Sequence, residues 1–130
     1  MPIPHDPTPR ARLTFRWRDE RWHLLDRPRP GVILISDNVP QGFEYGSSEA
    51  AEGAFWTQVV DSVFAWRDRH ASARWPGVEI AAVFDEVNRQ AIVAERTRRH
   101  GCQVLVLDDK VAALAAFHKR VHSLAGEAVQ

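Results

Sequence analysis

Four carboxylates in this chain stand where short apolar runs stop. Val32-Ile33-Leu34-Ile35-Ser36 runs into Asp37-Asn38, Glu79-Ile80-Ala81-Ala82-Val83-Phe84 into Asp85-Glu86, and Gln103-Val104-Leu105-Val106-Leu107 into Asp108-Asp109-Lys110. Hard divalent cations take oxygen ligands. Asp37, Asp85, Asp108 and Asp109, if gathered, would hold Mg²⁺ or Mn²⁺ and support metal-dependent chemistry on phosphate esters or nucleic acid. Gathering them requires three parallel strands, whose carboxyl ends share the edge where open α/β sheets bind ligands. Capping competes with catalysis, because Asp85 and Asp108 or Asp109 directly precede predicted helices and Asp is a favoured cap. Asp37 has no helix immediately after it.

A second set of residues offers recognition rather than reaction. Leu13 to Arg18 alternates apolar and polar, and so does Arg21 to Leu24. A turn at Asp19-Glu20 sets Trp17 opposite Trp22 and Phe15 opposite Leu24, with Leu13 on the same face. The other face then carries Thr14, Arg16, Arg18, Arg21 and His23, with Arg10, Arg12, Arg27 and Arg29 nearby. The first thirty residues hold seven arginines against four acids. Guanidinium forks match phosphates and carboxylates. No aromatic residue interleaves on that face, which argues against base stacking there. A charged outer face also keeps a sheet soluble.

The segment from Asn38 to Gly46 reads as the longest loop, with Phe43 and Tyr45 flanked by glycines. Exposed aromatics on a loop suit a partner contact. The function expected from these features is a small, non-enzymatic interaction or regulatory module. It binds a protein partner, or nucleic acid, through Arg16, Arg18, Arg21, Phe43 and Tyr45. The alternative is the metal-dependent enzyme built on Asp37, Asp85 and Asp108.

Other motifs carry less. His118 and His122 are four apart on a predicted helix, as metal-binding pairs require. Lys119, Arg120 and Val121 lie between them and no glutamate does, so they read as surface residues. Gly46-Ser47-Ser48 opens a helix without the lysine of a phosphate loop. No serine sits in a nucleophile-elbow context. Cys102 is alone, which excludes an internal disulfide and reads as a small apolar side chain.

The elements that must position these residues follow from periodicity. The order expected is strand, strand, strand, helix, strand, helix, strand, helix: a single α/β domain with a five-stranded mixed sheet and three helices. The helices are expected at Ser47 or Ser48 to Arg74, between Asp85 and Gly101, and from Lys110 to Ala125. The order is similar to that of ribonuclease H-like folds, which implies acidic metal ligands. The first strand here, Leu13 to Arg18, supplies no acid, so the catalytic content of that resemblance is lost. STAS-type regulatory domains are a second analogy, but no hydroxyl starts the helix after the second apolar run.

The expected domain spans 12–126, after a proline-rich arm at 1–11 and before a frayed end at 127–130. The 17 basic and 17 acidic residues cancel, so no global field demands nucleic acid or an anionic membrane. Basic residues are nearly all arginine, as in a GC-rich bacterial genome. No apolar stretch approaches the ~20 residues of a membrane span, and the opening residues lack a signal peptide's apolar centre. A cytoplasmic location is expected. The sequence leaves three states for the outer edge of the strand starting at Gln103: covered, paired with a second copy in a homodimer, or left open.

Overall fold

The computed structural model describes residues 11–26, 32–36, 39–66 and 69–129. Its strands and helices occur in an order that repeats once. Strands β1 (Ala11–Trp17), β2 (Glu20–Asp26), β3 (Val32–Ser36) and β4 (Val39–Tyr45) precede helix α1 (Ser48–Phe64). Strands β5 (Arg69–Trp75), β6 (Val78–Asp85), β7 (Gln90–Thr97) and β8 (Gly101–Leu107) precede helix α2 (Lys110–Val129). Each set of four forms its own antiparallel meander, in the order β1-β2-β3-β4 and β5-β6-β7-β8. The chain divides into two compact units, 1–55 and 56–130, with the boundary inside α1.

The expected five-stranded mixed sheet with three helices is therefore corrected: among the described residues there are two helices and two antiparallel sheets. Consecutive strands pair antiparallel in both sheets, so no parallel pair arises among the described strands. The segment read as a loop, Asn38 to Gly46, is mostly β4, whose Phe43 backbone pairs with Leu34 and whose Tyr45 pairs with Val32. The helix expected to reach Arg74 ends at Phe64, and β5 follows. The helix expected between Asp85 and Gly101 is β7.

In the first unit, alternation places Trp17, Trp22 and Leu24 fully inside. Phe15 pairs with Trp22, Leu13 with Leu24 and Arg16 with Arg21. The turn falls at Arg18-Asp19, one residue earlier than expected, and Arg18 takes a positive φ of 58°. The resulting slip is two residues, so each ladder side chain keeps its expected face. Ser47 caps α1: its Oγ accepts from the Ala50 N–H at 3.2 Å, and its carbonyl accepts from the Ala51 N–H.

In the second unit, α2 covers one face of the sheet. Phe117, Leu124 and Ala113 pack with Ile80, Ala82, Ala91 and Val93, and Leu114 and Val121 border them. Arg120 of α2 meets buried Glu95 of β7 with two hydrogen bonds, 2.7 and 3.0 Å. The opposite face of β6 and β7 carries Ala81, Val83, Ile92 and Ala94, all buried. The central strand β7 is thus apolar on both sides.

Candidate anion-binding surfaces

The first hairpin carries Arg16 and Arg21, but not Arg18, on its exposed face. Arg12, Thr14, Arg16 and Arg21 are exposed and His23 is half-buried. Thr14 Oγ1 lies 3.4 Å from His23 Nδ1, the Arg16 Nε donates to the Arg18 carbonyl at 3.1 Å, and Arg12 donates to the Ser48 hydroxyl. Arg18 occupies the turn rather than the ladder and is half-buried. Alternate residues of a strand lie about 7 Å apart on one face, so Arg12 and Arg16 extend a cationic row along β1.

Sequence reasoning missed a second basic region. The β5–β6 turn (Pro76-Gly77) and the β7–β8 turn (Arg98-Arg99-His100) lie at one end of the second sheet. The Arg98 N–H donates to the Gly77 carbonyl at 2.8 Å and ties them together. Gly77 has φ +80°, which an L side chain would strain. An open groove of about 810 Å³ runs past Arg74, Trp75, Pro76, Glu79, Arg96 and Arg98. Arg96 donates to Asp61 and, at 2.9 Å, to Glu79. The Glu79 hydrogen bond, more than the attraction of Asp61, holds Arg96 above the ordinary arginine pKa. The guanidinium groups of Arg69 and Arg96 each lie 5.2 Å from the centre of the Phe64 ring. The Pro76-Gly77 pair is the readable signal of this hairpin turn.

Asp85 and Asp109 are engaged in local backbone contacts. Asp37 falls outside the described residues, and the strand before it belongs to the other sheet. Asp85 and Asp108 do share one end of the second sheet, because β6 and β8 both run against β7. They are two strands apart, about 10 Å between backbones in a regular sheet. Asp85 is buried and closes the β6–β7 turn. It accepts from the Val87 and Asn88 N–H groups at 3.1 and 3.4 Å and from Asn88 Nδ2 at 2.6 Å. Asp109 caps α2, accepting from the Ala112 N–H at 2.7 Å. Among the described residues, no three His, Cys, Asp or Glu side chains are grouped to hold a metal ion.

The remaining candidates are dispersed. Tyr45 is half-buried on β4, and the Phe43 side chain lies outside the described residues. His118 and His122 are exposed on α2. His70 sits at an irregularity of β5, edge-on to Phe84 with ring centres 6.1 Å apart. Trp17 and Trp22 are core, whereas Trp56, Trp66 and Trp75 are half-buried. No described helix is long and apolar enough to cross a membrane. Two meander-and-helix units bearing basic surfaces define the chain at this level, and no family model, curated protein or solved structure matches it.

Proposed function

We propose that this chain is a non-enzymatic binding module for nucleic acid. The observation that supports this reading best is the direct opposition of Arg16 and Arg21 on the exposed face of β1 and β2. Two guanidinium forks side by side, continued by Arg12 and flanked by Thr14, suit a row of phosphates. The groove beside Arg74, Arg96 and Arg98 adds a second cationic region with Trp75 at its wall. Half-buried Trp75 offers one ring surface for a base, in keeping with single-stranded binding.

One observation favours an acidic protein segment instead. Formal net charge is zero, so attraction is local to these patches, and a short carboxylate-rich peptide needs no more than a local patch. Anisotropy titrations with a labelled single-stranded oligonucleotide and with labelled poly-glutamate separate the two. Saturable binding of the oligonucleotide, with poly-glutamate weaker, supports the proposal. Tighter binding of poly-glutamate transfers it to a protein partner, and binding of neither ends it.

A further inference from the structure

The four outer strands of the two sheets are not alike. Edge strand β1 carries Arg12 and Arg16, β4 carries Pro40 and Glu44, and β5 carries Arg69 and Arg74. Charges and prolines on an edge deter pairing with another chain. Edge strand β8 reads Gly101-Cys102-Gln103-Val104-Leu105-Val106-Leu107, with neither. Its neighbouring side chains Leu105 and Val106 point to opposite faces of the sheet and are 54% and 56% exposed. Beside it, an open groove of about 320 Å³ is lined by Val93, Leu105, Ala116 and the Glu95–Arg120 pair.

We propose that β8 pairs antiparallel with β8 of a second copy, making one continuous eight-stranded sheet about a two-fold axis. Charge selects this occupant. Arg98, Arg99 and His100 lie just before β8, and exposed Asp108 and Asp109 lie just after it. An antiparallel copy brings each basic end against an acidic one, whereas a parallel copy sets like against like. The register centred on Val104 places His100 opposite Asp108 and Arg99 opposite Asp109. It also places Cys102 opposite Val106 of the second copy and Leu105 opposite Gln103. A two-fold interface must be complementary to itself, and an uncharged strand with flanks of opposite sign meets that condition. Leu105 of the second copy then has the groove beside Ala116 to fill. This association is independent of the arginine face.

Sedimentation of the full chain across a concentration series tests the pairing. The expected result is reversible conversion from the 14.8 kDa chain to twice that mass. The joint substitution Leu105→Lys with Val106→Lys abolishes the dimer, while circular dichroism melting reports whether the fold is retained. Should that variant unfold, cross-linking decides. Cys102 of each copy lies about 14 Å from its own counterpart in this register, so the wild-type dimer is insensitive to reductant. Val106→Cys places its new thiol beside Cys102 of the second copy, within disulfide reach. Oxidised glutathione then produces a covalent dimer that reductant reverses. A chain that stays monomeric throughout overturns the proposal. So does a dimer that survives the double lysine variant, or one in which Val106→Cys fails to cross-link.

Discussion

Arg16 and Arg21 are register partners across β1 and β2, and both side chains are exposed. Like charges directly opposite one another weaken a strand pair, by a few tenths of a kcal/mol up to about 1. Replacing one of them relieves that repulsion and removes a binding group at once. Arg21→Thr, which keeps a strand-favouring side chain, is expected to raise unfolding stability by about 0.5 kcal/mol and to weaken oligonucleotide binding. Urea denaturation and anisotropy on the same preparation check both signs. A loss of stability with binding unchanged would contradict the assignment of this pair to recognition.

The Glu95–Arg120 pair is the principal polar link between β7 and α2. Glu95 is buried, and Arg120, held above the ordinary arginine pKa by its hydrogen bond to Glu95, is partly exposed. Arg120→Met leaves a buried carboxylate without its main partner. With the discount for the exposed guanidinium, the expected cost is about 2–3 kcal/mol. The double change Glu95→Leu with Arg120→Met recovers most of it, because the desolvated charge is gone. Denaturation midpoints of the three proteins measure the coupling.

Asp85 works as a turn closure. Asp85→Ala removes the acceptor of three hydrogen bonds in the β6–β7 turn and is expected to cost about 1–3 kcal/mol. Asp85→Asn keeps one acceptor oxygen and recovers part of the loss. Thermal melts rank the variants. Equal stability of wild type and Asp85→Ala would contradict the structural role.

Stability near the end of α2 depends on pH. The hydrogen bond with His100, reinforced by charge attraction to His100, Arg99 and Arg120, holds the Glu127 carboxyl below its ordinary pKa. A depressed carboxyl pKa stabilises the fold above the ordinary glutamate range, and that contribution disappears as pH falls through the folded-state pKa. Wild type and Glu127→Gln should therefore differ in melting temperature at neutral pH and converge at low pH. Melting curves recorded from pH 7 to pH 3 show either convergence or, against this account, parallel lines.

What the sequence reveals depends on whether a segment has one buried face. The first hairpin does, and strict alternation from Leu13 to Leu24 assigns the faces of its ladder residues; Arg18 is the exception, because the turn falls one residue earlier than expected. Leu114, Phe117, Val121 and Leu124 share the helical period that marks the inner side of α2, and Ser47 marks the start of α1. Strand β7 is buried on both faces, so Ala91-Ile92-Val93-Ala94 lost its period of two. Glu95 and Arg96 then made a helix credible. Strand β5, Arg69 to Trp75, has alanine and arginine in place of the usual β-branched residues and follows α1 with no glycine or proline between. Reading β5 and β7 as helix also reverses the expected polarity, since a helical crossover implies parallel neighbours and a hairpin antiparallel ones. The acidic edge was a product of that substitution. The basic groove beside Trp75 is hidden for the same reason, because Arg74 falls at the end of one expected helix and Arg96 and Arg98 within the one expected before Gly101.

The salt dependence of oligonucleotide binding tests the central claim most directly. For single strands, the logarithm of affinity falls with the logarithm of salt concentration by about 0.7 per phosphate neutralised. Wild type should show a steep negative slope. Arg16→Glu with Arg21→Glu should flatten it by about 1.4 or more, two contacts at that increment, while the melting temperature holds. A slope shared by wild type and variant would place the contacts elsewhere and contradict the account.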